Sequence, residues 1–151
     1  MALTADRKLD RLATVPRTPE FGGVVAAGYA LWRGSIAAVC ADGTLVPAGA
    51  TGTPSAPVGV LGLAEHQQIN TPNFPGMGQF VGGATPVKCE KGAWALPFDV
   101  APSWANLNAP VYAVDDQTVS LTQTPEGASA RLLVGTLIGF DLGGTPYVEI
   151  G

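Results

Sequence analysis

The sequence predicts an all-β protein, a small β-barrel or β-sandwich of short strands joined by tight turns and long loops. Four observations predict it. Glycine and proline number 20 and 13 among 151 residues, punctuation too frequent for a helical bundle. Charged residues make up 13%, about half of the ~25% usual in soluble domains. The hydrophobic content of 46% is nevertheless too high for a disordered chain. Finally, the apolar residues fall in short runs bounded by Gly, Pro or Asp, not at helical spacing.

The elements follow in order. Residues 1–20 form an N-terminal arm: Pro16 and Pro19 hold its end extended, and Leu9 and Leu12 would share a face of any short helix within Asp6–Ala13. Such a segment orders only by lying on something else; otherwise it is a tail. Residues 21–151 form a single β-rich domain. Its first strands are expected at 24–31, 35–40 and 43–47, with a hairpin at Ala41-Asp42-Gly43. A strand at 58–65 precedes a long loop, 66–83, and strands return at 85–90 and 92–97. Asp115-Asp116-Gln117 is a second hairpin turn, between 110–114 and 118–122, where Val119 and Leu121 alternate with polar residues. Arg131–Phe140, apolar on both faces, is expected to be the most buried strand, and Tyr147–Ile150 closes the domain.

Two parts of this pattern repeat. Ser35–Val39 matches Pro110–Val114, Thr44-Leu45 matches Thr118-Val119, and Val58-Gly59-Val60-Leu61 matches Val134-Gly135-Thr136-Leu137, at offsets of 75, 74 and 76 residues. Each unit is a hairpin, a loop and a returning strand, so the domain is expected to be an internal two-fold pseudo-repeat.

Chemistry-bearing residues are sparse. His66 is the sole histidine, and Cys40 and Cys89 are the sole cysteines. The one conceivable nucleophile–base pair is Cys40 with His66, but Cys40 sits in an apolar strand where burial makes a thiol inert. The two thiols are expected to be free and half-buried. Asp115 and Asp116 in a tight turn are expected to cap backbone N–H groups, not to act as a carboxylate dyad. The glycine pairs at 76–78 and 82–83 lack the context of a phosphate loop. The sequence therefore predicts no enzyme, no catalytic or metal-binding residue and no cofactor.

Charge and hydropathy point the same way. The net charge of −4 argues against a nucleic-acid partner. The uncharged stretch 43–64 contains Pro47, Pro54 and Pro57, which excludes a membrane-spanning helix there. The start carries charges where a secretory signal would be apolar, so synthesis in the cytoplasm is expected. The arm holds four of the eight basic residues, Arg7, Lys8, Arg11 and Arg17, whereas residues 21–151 carry only thirteen charges. A surface so weakly charged suits a subunit covered by copies of itself or by a larger assembly. Trp104, among Pro102, Ser103 and Ala105, is the best candidate for an exposed anchor. Phe74 and Met77 in the long loop are further interface candidates. The same aromatic residues leave a second reading open, a carbohydrate-binding or host-attachment module.

Several motifs carry a resemblance. Met1–Arg7, Leu31-Trp32-Arg33-Gly34-Ser35 leading to Asp42-Gly43 and Pro47, Val58–Glu65 with Asn70-Thr71, Lys91–Leu96, Val111–Val119, Val134–Asp141 and Val148-Glu149-Ile150 are together similar to the capsid cement, or head decoration, proteins of tailed bacteriophages. Leu9–Pro19 and Asn73–Gln79 depart from that pattern. The resemblance implies a small β-barrel that assembles, commonly as a homotrimer, on the exterior of the virion head. There it would bridge subunits of the major capsid protein and stabilise the expanded shell. Arg7, Lys8, Arg11 and Arg17 would then meet acidic patches of the capsid.

Overall fold

The computed structural model describes residues 21–71 and 86–151. Their short apolar runs form β1 (Phe21–Gly23), β2 (Ala30–Leu31), β3 (Ile36–Cys40), β4 (Leu45–Pro47), β5 (Pro57–Ala64), β6 (Gln68–Ile69) and β7 (Val87–Glu90). After a crossing at Lys91 come β8 (Gly92–Trp94), β9 (Pro110–Ala113), β10 (Val119–Ser120), β11 (Leu133–Phe140) and β12 (Pro146–Ile150), with a 3-10 turn at Trp104–Asn106. The all-β expectation holds, in its sandwich form. Two five-stranded antiparallel sheets share one core, the small sheet of β2 and β6 is separate, and no barrel closes.

Some boundaries differ from the sequence reading. The run 24–31 is broken by a turn in which the Tyr29 N–H donates to the Ala26 carbonyl, leaving only Ala30 and Leu31 in a strand. Within the expected loop 66–83, Gln68 and Ile69 pair with Leu31 and Ala30. Residues 72–83 lie outside the described residues.

The repeat is present as topology. The sheets run β1-β7-β5-β3-β4 and β8-β12-β11-β9-β10, the same order built in the same chain sequence. Backbone hydrogen bonds repeat as well. Leu45 donates its N–H to the Val24 carbonyl at 2.8 Å, and its carbonyl accepts from Ala26 N–H at 2.9 Å. Val119 donates its N–H to the Pro97 carbonyl and its carbonyl accepts from Asp99 N–H, both at 2.9 Å. In the hairpins, Cys40 N–H donates to the Thr44 carbonyl and Val114 N–H to the Thr118 carbonyl. Pairing thus equates Cys40, not Val39, with Val114. It equates Gly62, opposite Ala37, with Gly135, opposite Val111.

That one-residue change matters, because a slip of one residue moves a side chain to the other face of a sheet. Ala37 and Leu45 lie in an outer cluster with Val25, Leu31, Ala64, Val87 and Cys89. Their counterparts Val111 and Val119 lie in the main core, with Leu137, Val148 and Ile150, against Ile36, Ala38, Cys40 and Val46 of the first sheet. Equivalent faces point the same way. The back of the first sheet packs on the front of the second, and Leu31 of β2 helps fill the cluster on the first sheet's front.

Two expectations about burial change for this reason. The most buried strand is β3, whose Ile36, Ala37 and Ala38 are all inaccessible, because both its faces are covered. The strand β11 is covered on one face only: Val134 and Leu137 are buried while Leu133 is 55% exposed. Cys40 and Cys89 are fully buried, not half-buried, one in each cluster, and both are free.

Gly62 and Gly135 share a further role. A Cβ on Gly62 would fall 2.5 Å from the Glu90 carbonyl oxygen, and one on Gly135 would overlap the Glu149 carbonyl oxygen. Each glycine lets the next strand close against β5 or β11. Gly135→Ala is expected to destabilise by about 3 kcal/mol through backbone overlap. The control Gly59→Ala, which meets nothing within 4 Å, is expected to shift stability by less than about 1 kcal/mol. Denaturant unfolding of both variants checks this.

Candidate interaction surface

Among the described residues, the most exposed aromatic group is built from a turn of small polar residues. Ser103 has extended backbone and donates from both its N–H and its hydroxyl to Asn106 Oδ1, at 2.9 and 3.2 Å. Leu107 N–H donates to the Trp104 carbonyl, closing the 3-10 turn. Asn108, with φ 65°, turns the chain into β9; asparagine tolerates this left-handed conformation. Asn108 N–H donates to the Leu137 carbonyl at 2.9 Å and Leu137 N–H donates to the Ala109 carbonyl at 3.0 Å, docking the turn on β11.

These bonds set the Trp104 ring over Gly139, with its centroid 4.8 Å from that of Phe140 and the planes tilted by 54°. Phe140 in turn packs against the main core. Trp104 is 64% exposed, as the sequence led one to expect. Trp94 instead packs on the core, and Trp32 is about two-fifths exposed near Ser35.

Two residues beyond Phe140, the turn between β11 and β12 presents Leu142, fully exposed. The tip is held by Asp141, whose Oδ1 accepts from Gly143 N–H at 2.9 Å and Thr145 N–H at 2.8 Å. The Thr145 bond is the main reason the Asp141 carboxyl lies below the usual carboxylate range. Asp42 is held low in the same manner, by the Thr44 hydroxyl first. These carboxylates brace the turns they stand in and remain exposed, charged groups beside the apolar residues there.

Asp115 also caps its turn, accepting from Gln117 N–H at 2.9 Å and Thr118 N–H at 2.7 Å. Asp116 does something else. Its carboxylate accepts the Ser35 hydroxyl at 2.8 Å and its carbonyl accepts Ile36 N–H at 2.6 Å, tying the second sheet's hairpin to the start of β3. Cys40 and His66 are not brought together in a hydrogen bond: the His66 ring nitrogens face the Gln67 carbonyl and the Lys88 N–H. Among the described residues no group of three His, Cys, Asp or Glu side chains is placed to hold a metal ion.

Arg7, Lys8, Arg11, Arg17, Phe74 and Met77 lie outside the described residues, so of the sequence-chosen contact residues only Trp104 is located here. Sequence reasoning missed Leu142. Its signal was available: an apolar residue between an Asx-capping aspartate and two glycines must sit at a turn tip. Comparisons with protein-family models, with curated proteins and with solved structures find no match to this chain.

Burial, with a smaller contribution from Glu65, pushes the Cys89 thiol from an ordinary 9.0 up to about 11. Because the folded value is the higher, the stability linked to this thiol is fully present below about pH 9 and is lost as pH rises through about 11. Cys89→Ala is expected to flatten the fall in Tm between those two pH values. At pH 8, both cysteines are expected to resist a thiol reagent until the chain is unfolded. Thermal melts and thiol titration check the two outcomes.

Proposed function

We propose that the protein is a structural cement subunit of a tailed-phage head. In this reading it binds the outer surface of the shell, bridges subunits of the major capsid protein and stabilises the expanded state. The carrying observation is the exposure of Trp104 and of Leu142. Both are exposed large apolar side chains, and both stand on turns locked by backbone and Asx hydrogen bonds. Rigid apolar groups lose little entropy on docking, which makes them effective anchors in protein interfaces.

The sequence resemblance supports the same reading, as does the weak charge of residues 21–151. A surface with thirteen charges, four of them basic, gives a partner little to steer by and much to bury. The arm is the exception: its four basic residues supply attraction to an acidic shell surface and add affinity only once docked.

The test is cosedimentation with undecorated heads. Saturable binding is expected at a stoichiometry set by a local symmetry axis. Trp104→Ala with Leu142→Ser is expected to weaken binding roughly tenfold to a hundredfold, with Tm nearly unchanged. Removal of residues 1–20 is expected to weaken attachment while leaving the β domain folded, as read by circular dichroism. Failure of the intact protein to bind heads, with specific saturable binding on a glycan array, would replace the cement role with host attachment.

A further inference from the structure

The corner around Trp104 is apolar, and the part of the chain that builds it is acidic. Trp104 is 64% and Leu107 42% exposed, and the Asn108 bond to the Leu137 carbonyl holds their turn against β11. Exposed Asp141 follows Phe140 directly. Charge is divided unevenly along the domain. Residues 21–91 hold Arg33, Lys88 and Lys91 against Asp42, Glu65 and Glu90, a net of zero. Residues 92–151 hold Arg131 against Asp99, Asp115, Asp116, Glu126, Asp141 and Glu149, a net of −5. Arg131 is itself paired with Asp99, at 3.7 Å. The sequence of the arm is complementary. In a helix over residues 6–13, Leu9 and Leu12 share one face, with Lys8 and Arg11 on one side of it and Asp6 and Asp10 on the other.

We propose that, in the free protein, residues 6–13 of the arm lie over the Trp104 corner of the same chain, with Leu9 and Leu12 against the indole and Leu107, and Lys8 and Arg11 toward the Asp141 carboxylate. The fold fixes where the arm arrives. Phe21 pairs with Cys89 in antiparallel register, so the residues before it run on past Glu90 toward Lys91, whose Nζ lies 5.4 Å from the Phe21 ring centroid. There β8 begins, with Gly92 opposite Ile150 at one end of β12; at the other end Pro146 lies opposite Phe140, on which Trp104 rests. Three residues from Cys89 to Gly92, four along β12 and two strand spacings put the corner at most about 25 Å from Phe21. The eight residues between Leu12 and Phe21, drawn out by Pro16 and Pro19, reach about 25–28 Å. The tether therefore delivers Leu12 to this corner. It also holds the arm at an effective concentration of about a millimolar, so a weak apolar and ionic contact is enough to keep it docked. The arm thus covers the most exposed indole of the free subunit, and a docking surface that takes both the indole and the basic residues displaces it. The cover is a property of the free chain and does not depend on head binding.

The experiment is acrylamide quenching of tryptophan fluorescence in the free full chain carrying Trp32→Phe. That substitution leaves Trp104 as the exposed indole, because Trp94 packs on the core. Adding Leu9→Ser with Leu12→Ser is expected to raise the quenching constant roughly twofold, since a millimolar tether keeps about half or more of the arms docked. Lys8→Glu with Arg11→Glu is expected to raise it in the same direction. Both pairs lie outside the β domain, so the circular dichroism spectrum of its strands is expected to stay unchanged. Tenfold dilution is expected to change nothing. Leu12→Cys with Leu107→Cys is expected to form an intrachain disulfide under mild oxidation, because Cys40 and Cys89 are buried. A quenching constant that ignores Leu9→Ser with Leu12→Ser overturns the proposal, as does a Leu12→Cys, Leu107→Cys chain that stays reduced. Protection lost on dilution overturns it too, by assigning the arm to a second copy. No heads are present in these measurements, so their failure is separate from a failure of cosedimentation.

Discussion

The packing of the first sheet's back on the second sheet's front is the contact on which the rest depends. Sheets packed in this way lie about 10 Å apart, and small and medium side chains fill the space: Ala38 and Val46 from one side, Val111, Val119 and Leu137 from the other. This contact explains why β3 lacks the alternation of a half-exposed strand. One of its faces meets the second sheet and the other meets the cluster around Leu31 and Val87. It also explains why β11, equally apolar in sequence, is half in solvent.

The sheets are joined by few specific polar contacts. Asp116 with Ser35 and Ile36 links the second hairpin to the first sheet, with Ser35 itself nearly inaccessible. A hydrogen bond to an ionised group at such a site is worth more than a neutral one in water. It fixes the register of one sheet on the other, which non-directional apolar packing leaves loose. Asp42, Asp115 and Asp141 brace their own turns, and Leu142 stands exposed in the last of these.

The legibility of the site was uneven. Trp104 was found because its neighbours, Pro102 and Ser103, are turn residues, and turn residues place side chains at the surface. The exposure of Leu133 was missed because it lies in a run apolar on both sides, and sequence alone cannot tell a strand buried on both faces from one that is not. The repeat was found by matching residue types, which located the correct strands but set Val39 where Cys40 belongs. Valine, alanine and glycine recur too often for composition to fix a register that backbone hydrogen bonds decide.

The sequence by itself determined that the protein is built of short strands, where its two hairpins turn, and that those strands repeat. Those properties are local: glycine, proline and Asx residues impose turns wherever they stand, and apolar runs between them pair. Only the tertiary structure decided that the repeats stack front to back, that β3 is the doubly covered strand, and that Leu133 of β11 stays exposed. Those outcomes depend on which face of each sheet meets another. That choice is set by long-range contacts whose partners, such as Ser35 and Asp116, lie 81 residues apart.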